Sequence, residues 1–390
     1  MRRGPTGTYE DSASGGEVVR AFVPHPLPPR PPLELTRPRQ QLLERATLAL
    51  GRLDAITLLL PDPDVFLYTY VRREAVLSSQ IEGTQSSLSD LLLFELEGAP
   101  GVPFDDVVEV SNYVAALDHG VRRLAEGFPL CNRLLREMHA ILLSRGRGSD
   151  KAPGEFRRTQ NWVGGTRPGN AVFVPPPPHR VDGCMAELER FLHADPSYPS
   201  LIRAALAHVQ FETIHPFLDG NGRIGRLLIS FILHHERVLS RPLLYLSLYF
   251  KEHRDEYYRL LDLVRREGDW ERWLDFFLEG VEQTAANAVH TARRLVHLFQ
   301  EDEARIHALS RRAGTVLRVF RTLLRRPVTS IGSVRRQTGL SFPAAAKAVE
   351  TLEHLGVVRE ITGRRRDRVY AYARYLEILS EGANPTRTPA

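Results

Sequence analysis

Cysteine is nearly absent. The 390 residues hold two, Cys131 and Cys184, far apart and outside any C-x-x-C spacing. That excludes a disulfide framework and a thiolate zinc site, and it points to a reducing cytoplasm. Long apolar runs are also missing: no stretch approaches 18 consecutive apolar residues, so no membrane span is expected. Charge of one sign is not in large excess. Lys and Arg number 52 against 47 Asp and Glu, a net charge of +5, which permits an anionic partner without requiring one. The opening MRRGPTGTYEDSASGGE has no apolar segment of the signal-peptide kind and reads as a flexible leader. There is no internal repeat. What is present is 43% hydrophobic and 25% charged residues, ordinary for a chain with a large core and two or three domains.

Residues 1–34 end in PHPLPPRPPLEL; so much Gly and Pro predicts a flexible arm. Apolar residues at helical spacing then predict helices over 39–60, 65–82, 86–97, 103–125 and 129–145. The pattern breaks at 156–181, where two β-prone runs flank GGTRPGN and four prolines follow; the prediction is a hairpin. Helices resume at 182–193, 199–213, 222–236, 252–266 and 270–300. Beyond about 303 come helical patterns at 303–325, 330–338 and 342–354, then two short strands around the basic turn GRRRDR. Helix, helix, helix and a two-stranded wing is the layout of a winged helix-turn-helix. The last residues, 381–390, are expected to be disordered.

One stretch concentrates chemistry: IHPFLDGNGRIGRLLI, residues 214–229. Pro216 biases His215 out of the preceding helix. Asp219, Gly220, Asn221 and Gly222 form a turn that feeds a new helix, whose N-terminal N–H groups and dipole attract phosphate. Arg223 and Arg226, three apart, share a helix face and can grip phosphate oxygens. Asp219 is a hard ligand suited to Mg²⁺ that leans on phosphates. His215 is the natural general base. Taken singly, the histidine reads as a turn residue, the aspartate as a helix cap and the arginines as solvated surface; together they describe transfer from a nucleotide.

HPFLDGNGRIGR resembles the signature of the Fic family, H-x-F-x-[D/E]-G-N-G-R-x-x-R, at every defined position. RRTQNWVGG…AVFVPPPPHRV is similar to that family's flap hairpin, and EGDWERWLDFFLEGVEQTA to its closing helix, so the likeness covers roughly residues 40–290. The fold class implied is mainly α: a Fic-type helical bundle with a β-hairpin flap, plus a C-terminal winged helix-turn-helix. The expected domains are an N-terminal arm (1–34), an N-terminal helical region with an inhibitory helix (35–125), a catalytic core (126–300), the winged helix (303–380) and a tail (381–390).

The resemblance implies a protein adenylyltransferase that moves AMP from ATP to a Ser, Thr or Tyr hydroxyl. In that role His215 deprotonates the hydroxyl and Asp219 holds Mg²⁺ or Mn²⁺. Gly220, Asn221 and Gly222 cradle the phosphates, with Asn221 also steadying the α-phosphate. Arg223 and Arg226 hold the β and γ groups. Phe217 belongs to the same ATP-binding set and is expected to pack beneath the loop. The hairpin over 161–174 would take the target segment as an added strand. The Doc relatives, which phosphorylate, carry Ala and Lys in place of the motif's first and second Gly; Gly220 and Gly222 favour adenylyl transfer.

A second stretch, SSQIEGTQSS, puts Ser78 and Glu82 four apart with Gly83 next. It matches the family's inhibitory motif [S/T]-x-x-x-E-[G/N], which implies that Glu82 pairs with Arg226 and denies it to the γ-phosphate. The alternatives are a de-AMPylase in which Glu82 activates water, and a DNA-binding regulator with a nucleotide-sensing Fic domain. Partners implied are ATP, a target protein, a second copy of the chain, and DNA through Lys347, Arg364, Arg365, Arg366 and Arg368.

Overall fold

A computed structural model describes residues 3–14, 16–59, 63–97, 104–194, 198–309 and 313–381. The chain forms two compact units: residues 1–54 with 111–285, and 55–110 with 286–390. The units are not sequential segments. The helix that carries Ser78 falls in the second unit, and the motif at 215–226 falls in the first.

The first unit opens with two strands, β1 (Gly7–Ser14) and β2 (Glu17–Pro24), paired antiparallel from Gly7↔Pro24 to Ser14↔Glu17. This is a correction: the segment expected to be a flexible arm is an eight-rung hairpin. Proline and glycine content hid a run, EVVRAFV, whose Val19, Ala21 and Phe22 are buried. The helices α1 (Arg37–Leu59), α2 (Pro63–Ile81), α3 (Leu88–Glu97) and α4 (Phe104–Ala125) follow, and α1 and α4 contribute to both units. Next come α5 (Asn132–Leu142), a 3-10 turn at Pro168–Asn170, α6 (Pro178–His193), α7 (Ser200–Ile214) and α8 (Asn221–His235). The helix α6 starts at Pro178, ahead of its expected 182, because proline is at home in the first helical turn.

Every residue of α7 from Leu201 to Ile214 is buried, as in a helix enclosed on all sides. Around it pack α6, α8, β2 and α10 (Arg254–Glu267). The expected helix at 252–266 is two: α9 (Ser247–Glu252) and α10, broken at His253 (φ −113, ψ 37). The long helix α11 (Trp270–His307) donates its Trp273 Nε1–H to the Ala205 carbonyl at 2.9 Å, tying it to the centre of α7. The expected flap hairpin is reduced to one antiparallel bridge, Val163↔Phe173, with the 3-10 turn at its tip. The prolines after Val174 end any further pairing.

In the second unit come α12 (Ala313–Arg325), β3 (Val328–Ser330), α13 (Ile331–Thr338), α14 (Phe342–His354), β4 (Arg359–Glu360) and β5 (Val369–Ala371); the helix expected over 303–325 is shorter, its first residues belonging to α11, and β3 is an added strand. The sheet order is β3-β5-β4, antiparallel throughout. Ser330 caps α13 by accepting from the Ser333 N–H at 3.2 Å. A last helix, α15 (Ala373–Ser380), was not expected as a separate element. It closes the core through Tyr375, whose hydroxyl lies 3.0 Å from that of Thr69 in α2. Of the tail, Glu381 is described and pairs with Arg294 at 2.5 Å; 382–390 lie outside the described residues. Among the described residues no helix is long and apolar enough to cross a membrane.

Candidate active site

His215 is the C-cap of α7. Its backbone is left-handed (φ 49, ψ 60), and its N–H still bonds the Phe211 carbonyl at 2.9 Å. Histidine tolerates that region better than branched residues do. The reversal turns the chain out of the buried helix, leaving the His215 side chain at the edge of the core. The loop then runs to Gly220, which caps α8 in a second left-handed position (φ 75). Of the loop residues, Phe217, Gly220 and Asn221 are buried, whereas His215, Leu218, Asp219 and Gly222 are half-buried. Imidazole, carboxylate and helix N-terminus are therefore the parts offered outward.

Three side chains from elsewhere hold this loop. Arg157 is buried; its guanidinium donates to the carbonyls of His215 (2.8 Å), Ile214 (3.3 Å) and Pro176 (2.6 Å). Its N–H also bonds the Pro216 carbonyl at 2.9 Å. Burial pushes the guanidinium pKa down to about 10, which leaves it cationic at neutral pH, and its bonds clamp these carbonyls. Asn161 donates to the Phe217 carbonyl at 2.9 Å. His139, on α5, accepts from the Gly154 N–H at Nδ1 (2.9 Å), so its proton sits on Nε2, which donates to the Asp219 carbonyl (3.0 Å). Burial pushes its pKa down to about 4, which keeps this bridge neutral.

The His139 ring stacks on Phe217 with centroids 3.7 Å apart and planes 8° apart. Phe217 is fully buried. Its ring props the loop from below, in the position expected for it beneath the loop. The Asn221 amide is likewise turned inward, exchanging bonds of 2.8 Å with the Phe217 N–H and carbonyl. What Asn221 offers outward is its backbone N–H, at the start of α8.

Asp219 accepts from the Gly220 N–H at 2.5 Å and sits 3.4 Å from the Arg223 guanidinium. Arg223 and Arg226 are both buried, which removes the solvated-surface reading. Two guanidinium groups fixed beside a helix N-terminus make a strongly anion-attracting field. Among the described residues no group of three His, Cys, Asp or Glu could hold a metal ion. One half-exposed carboxylate suits Mg²⁺ carried largely by phosphates and water.

A family model described as "Fic/DOC family N-terminal" matches residues 40–122, and one described as "Fic/DOC family" matches 129–233. Residues 40–233 thus carry the N-terminal and core domains of the Fic/Doc family. Among curated Fic proteins, protein adenylyltransferase Fic of Culex quinquefasciatus is 33% identical over 194 residues, 47% of this chain and 36% of the relative. The Drosophila melanogaster protein of the same name is 31% identical over 209 residues, 52% of this chain and 39% of the relative. The chain thus spans less than half the length of the curated relatives it matches. A Fic family protein of Desulfovibrio desulfuricans G20 has a similar crystal structure, with TM-score 0.57 and 21% identity over 88% of this chain and 98% of that one. A Fic-domain signalling protein of Bacteroides thetaiotaomicron aligns with TM-score 0.50 and 19% identity over 64% and 95%. These two likenesses establish the Fic fold.

Ser78, Glu82 and Gly83 lie in the second unit. Ser78 is buried, and Glu82 follows the last turn of α2, its N–H bonded to the Ser79 carbonyl at 3.0 Å. Gly83 is left-handed (φ 102), as expected just past a helix end. Arg157, Asn161 and His139 were missed by the sequence analysis. Each stands 50 or more residues from its carbonyl partner in the loop, and no local pattern marks such a bond.

Proposed function

We propose that this chain is an auto-inhibited protein adenylyltransferase that moves AMP from ATP to a Ser, Thr or Tyr hydroxyl of a target protein, and to itself. The observation that carries the proposal is the loop. A half-buried histidine and carboxylate flank a helix N-terminus backed by two buried arginines. The names of the curated relatives agree with it.

His215 takes the proton of the target hydroxyl as its oxygen attacks the α-phosphorus. The bond from the α-phosphorus to the bridging oxygen breaks, and pyrophosphate leaves. The N–H groups of Asn221 and Gly222 face the phosphates, and Arg223 and Arg226 neutralise the β and γ groups. Asp219 would hold Mg²⁺ or Mn²⁺, which supplies charge neutralisation on the nucleotide phosphates. Glu82 acts as the inhibitor through the motif it shares with the family, by competing with the γ-phosphate for Arg226.

Intact mass after incubation with MgATP tests this. Glu82→Gly should gain the mass of one or more AMP groups, the wild type little, and Glu82→Gly with His215→Ala none. Transfer by the double variant would remove His215 as the base. No gain by Glu82→Gly on itself or on cell extract proteins, with loss of AMP from modified ones, would move the assignment to de-AMPylation.

A second reading is carried by the other unit, which we propose works as a winged helix on duplex DNA. A groove of about 1270 Å³ runs between α13, α14 and the β4–β5 turn. Arg335, Arg336, Arg365, Arg366 and Arg368 line it, suitably for two phosphate backbones. Lys347, also expected to contact phosphate, is held by Glu350 at 2.8 Å. Fluorescence anisotropy with a mixed-sequence duplex should show binding that weakens with salt and with Arg365→Ala. No binding at low salt would eliminate DNA as the partner.

A further inference from the structure

The β1–β2 hairpin lies outside both family matches, the first of which starts at residue 40. It is nonetheless docked on the flap, and on one side only. The Phe22 N–H donates to the Val174 carbonyl at 2.9 Å. Val19, Ala21 and Val174 form an apolar cluster with Ala171 against it, and the Phe22 and Phe173 rings lie 6.2 Å apart. At the tip, the Glu17 carboxylate pairs with the Arg167 guanidinium and accepts from the Gly169 N–H at 2.8 Å. A Cβ on Gly169 would stand 2.4 Å from Glu17 Oε2, so the turn is shaped to that carboxylate. At the base, the Ser12 hydroxyl bonds Gln160 Oε1 at 2.8 Å, and the Gln160 amide nitrogen bonds the Pro175 carbonyl at 2.9 Å.

The opposite edge is the arm 161–164. Val163 faces inward, exchanging bonds of 2.8 and 3.1 Å with Phe173. In an antiparallel pair the neighbours of such a residue turn their N–H and C=O groups the other way, so Trp162 presents its own outward, and left-handed Gly164 (φ 68) ends the edge by turning the chain. This arm starts beside the catalytic loop, where Asn161 bonds the Phe217 carbonyl. The Trp162 side chain beside it is 38% exposed.

We infer that the N-terminal hairpin is a brace that closes the 171–175 edge of the flap, so that an extended segment of the target protein joins only along the 161–164 edge, next to His215. Two unpaired edges would admit two registers; closing one leaves a single track. This rests on the proposal that the site modifies a protein hydroxyl. Glu17 is a positioning residue: it acts through Arg167 and Gly169 and touches no reacting atom.

The test compares full-length wild type, Glu17→Ala and Glu17→Gln. Amide hydrogen exchange at Val163 and Phe173 should rise about fivefold in Glu17→Ala, the size of one exposed charge pair. It should rise less in Glu17→Gln, which still accepts from Gly169, and α7 amides should not change. In the Glu82→Gly background, with the His215→Ala chain as acceptor, Glu17→Ala should raise the KM for acceptor and leave the KM for ATP unchanged. Unchanged flap exchange overturns the brace. Raised exchange with an unchanged acceptor KM overturns the docking track. If the Glu82→Gly parent transfers no AMP, the enzyme proposal fails by itself, and exchange still decides the brace.

Discussion

Buried His208 sets a pH limit on the first unit, and its size follows from the structure. Its Nδ1–H donates to the Gly225 carbonyl at 2.9 Å, between Arg223 and Arg226, and its Nε2 accepts from the Tyr257 hydroxyl at 2.9 Å. Phe250 and Trp273 stack on it with centroids 5.8 Å away. Burial pushes its pKa from 6.5 down to about 3. The folded pKa is the lower one, so stability is fully present above pH 6.5 and drains away as pH falls towards 3. Between pH 7 and pH 5 the unfolded chain takes up a proton at this position that the native chain refuses. At 1.36 kcal/mol per pH unit this removes about 2 kcal/mol. His208→Gln can donate to Gly225 and accept from Tyr257 without titrating, so it should lose about 2 kcal/mol less over the same interval. Trp162, Trp270 and Trp273 all lie in the first unit, so tryptophan fluorescence during urea unfolding reports this unit. With a slope of about 2–3 kcal/mol/M, the difference is about 0.7–1 M in midpoint. Equal losses from pH 7 to pH 5 in the two proteins would refute the argument.

Gly148 is left-handed (φ 84), and a Cβ there would stand 2.7 Å from Asp219 Oδ2. Gly148→Ala should therefore displace the proposed Mg²⁺ ligand: calorimetry should show Mg²⁺-dependent ATP affinity falling about tenfold, with about 1–2 kcal/mol lost from stability. Arg157→Met keeps much of the volume but strips the carbonyls of residues 176, 214 and 215 of their donor. It should lower the urea stability of the first unit by about 3 kcal/mol and abolish transfer; a stable, active Arg157→Met would show the clamp to be dispensable.

The candidate loop was legible because it is local. His215, Asp219 and Arg223 fall on one turn and one helix start, and helix-capping and proline rules place them without tertiary information. Arg157 and His139 were illegible for the opposite reason. Each looks like an ordinary polar residue until the fold brings it under a carbonyl, and burial, which the sequence does not display, then makes the bond matter. The N-terminal hairpin carries two opposed local signals. Alternation in EVVRAFV, set behind a Gly-Gly pair, is a hairpin signal, but the prolines downstream dominated the composition. The strands become stable by packing on the flap about 150 residues away.

The turn at 214–217 is built almost wholly from main chain held by others. The carbonyls of Ile214, His215, Pro216 and Phe217 are fastened by Arg157 and Asn161, and none of these bonds uses the imidazole. Loss of the base and loss of the loop are thus separable events. A chain with alanine at 215 should keep a nucleotide-shaped cradle that no longer turns over. Under the proposed function, such a protein would be a trap that holds ATP and a docked target together long enough to be isolated.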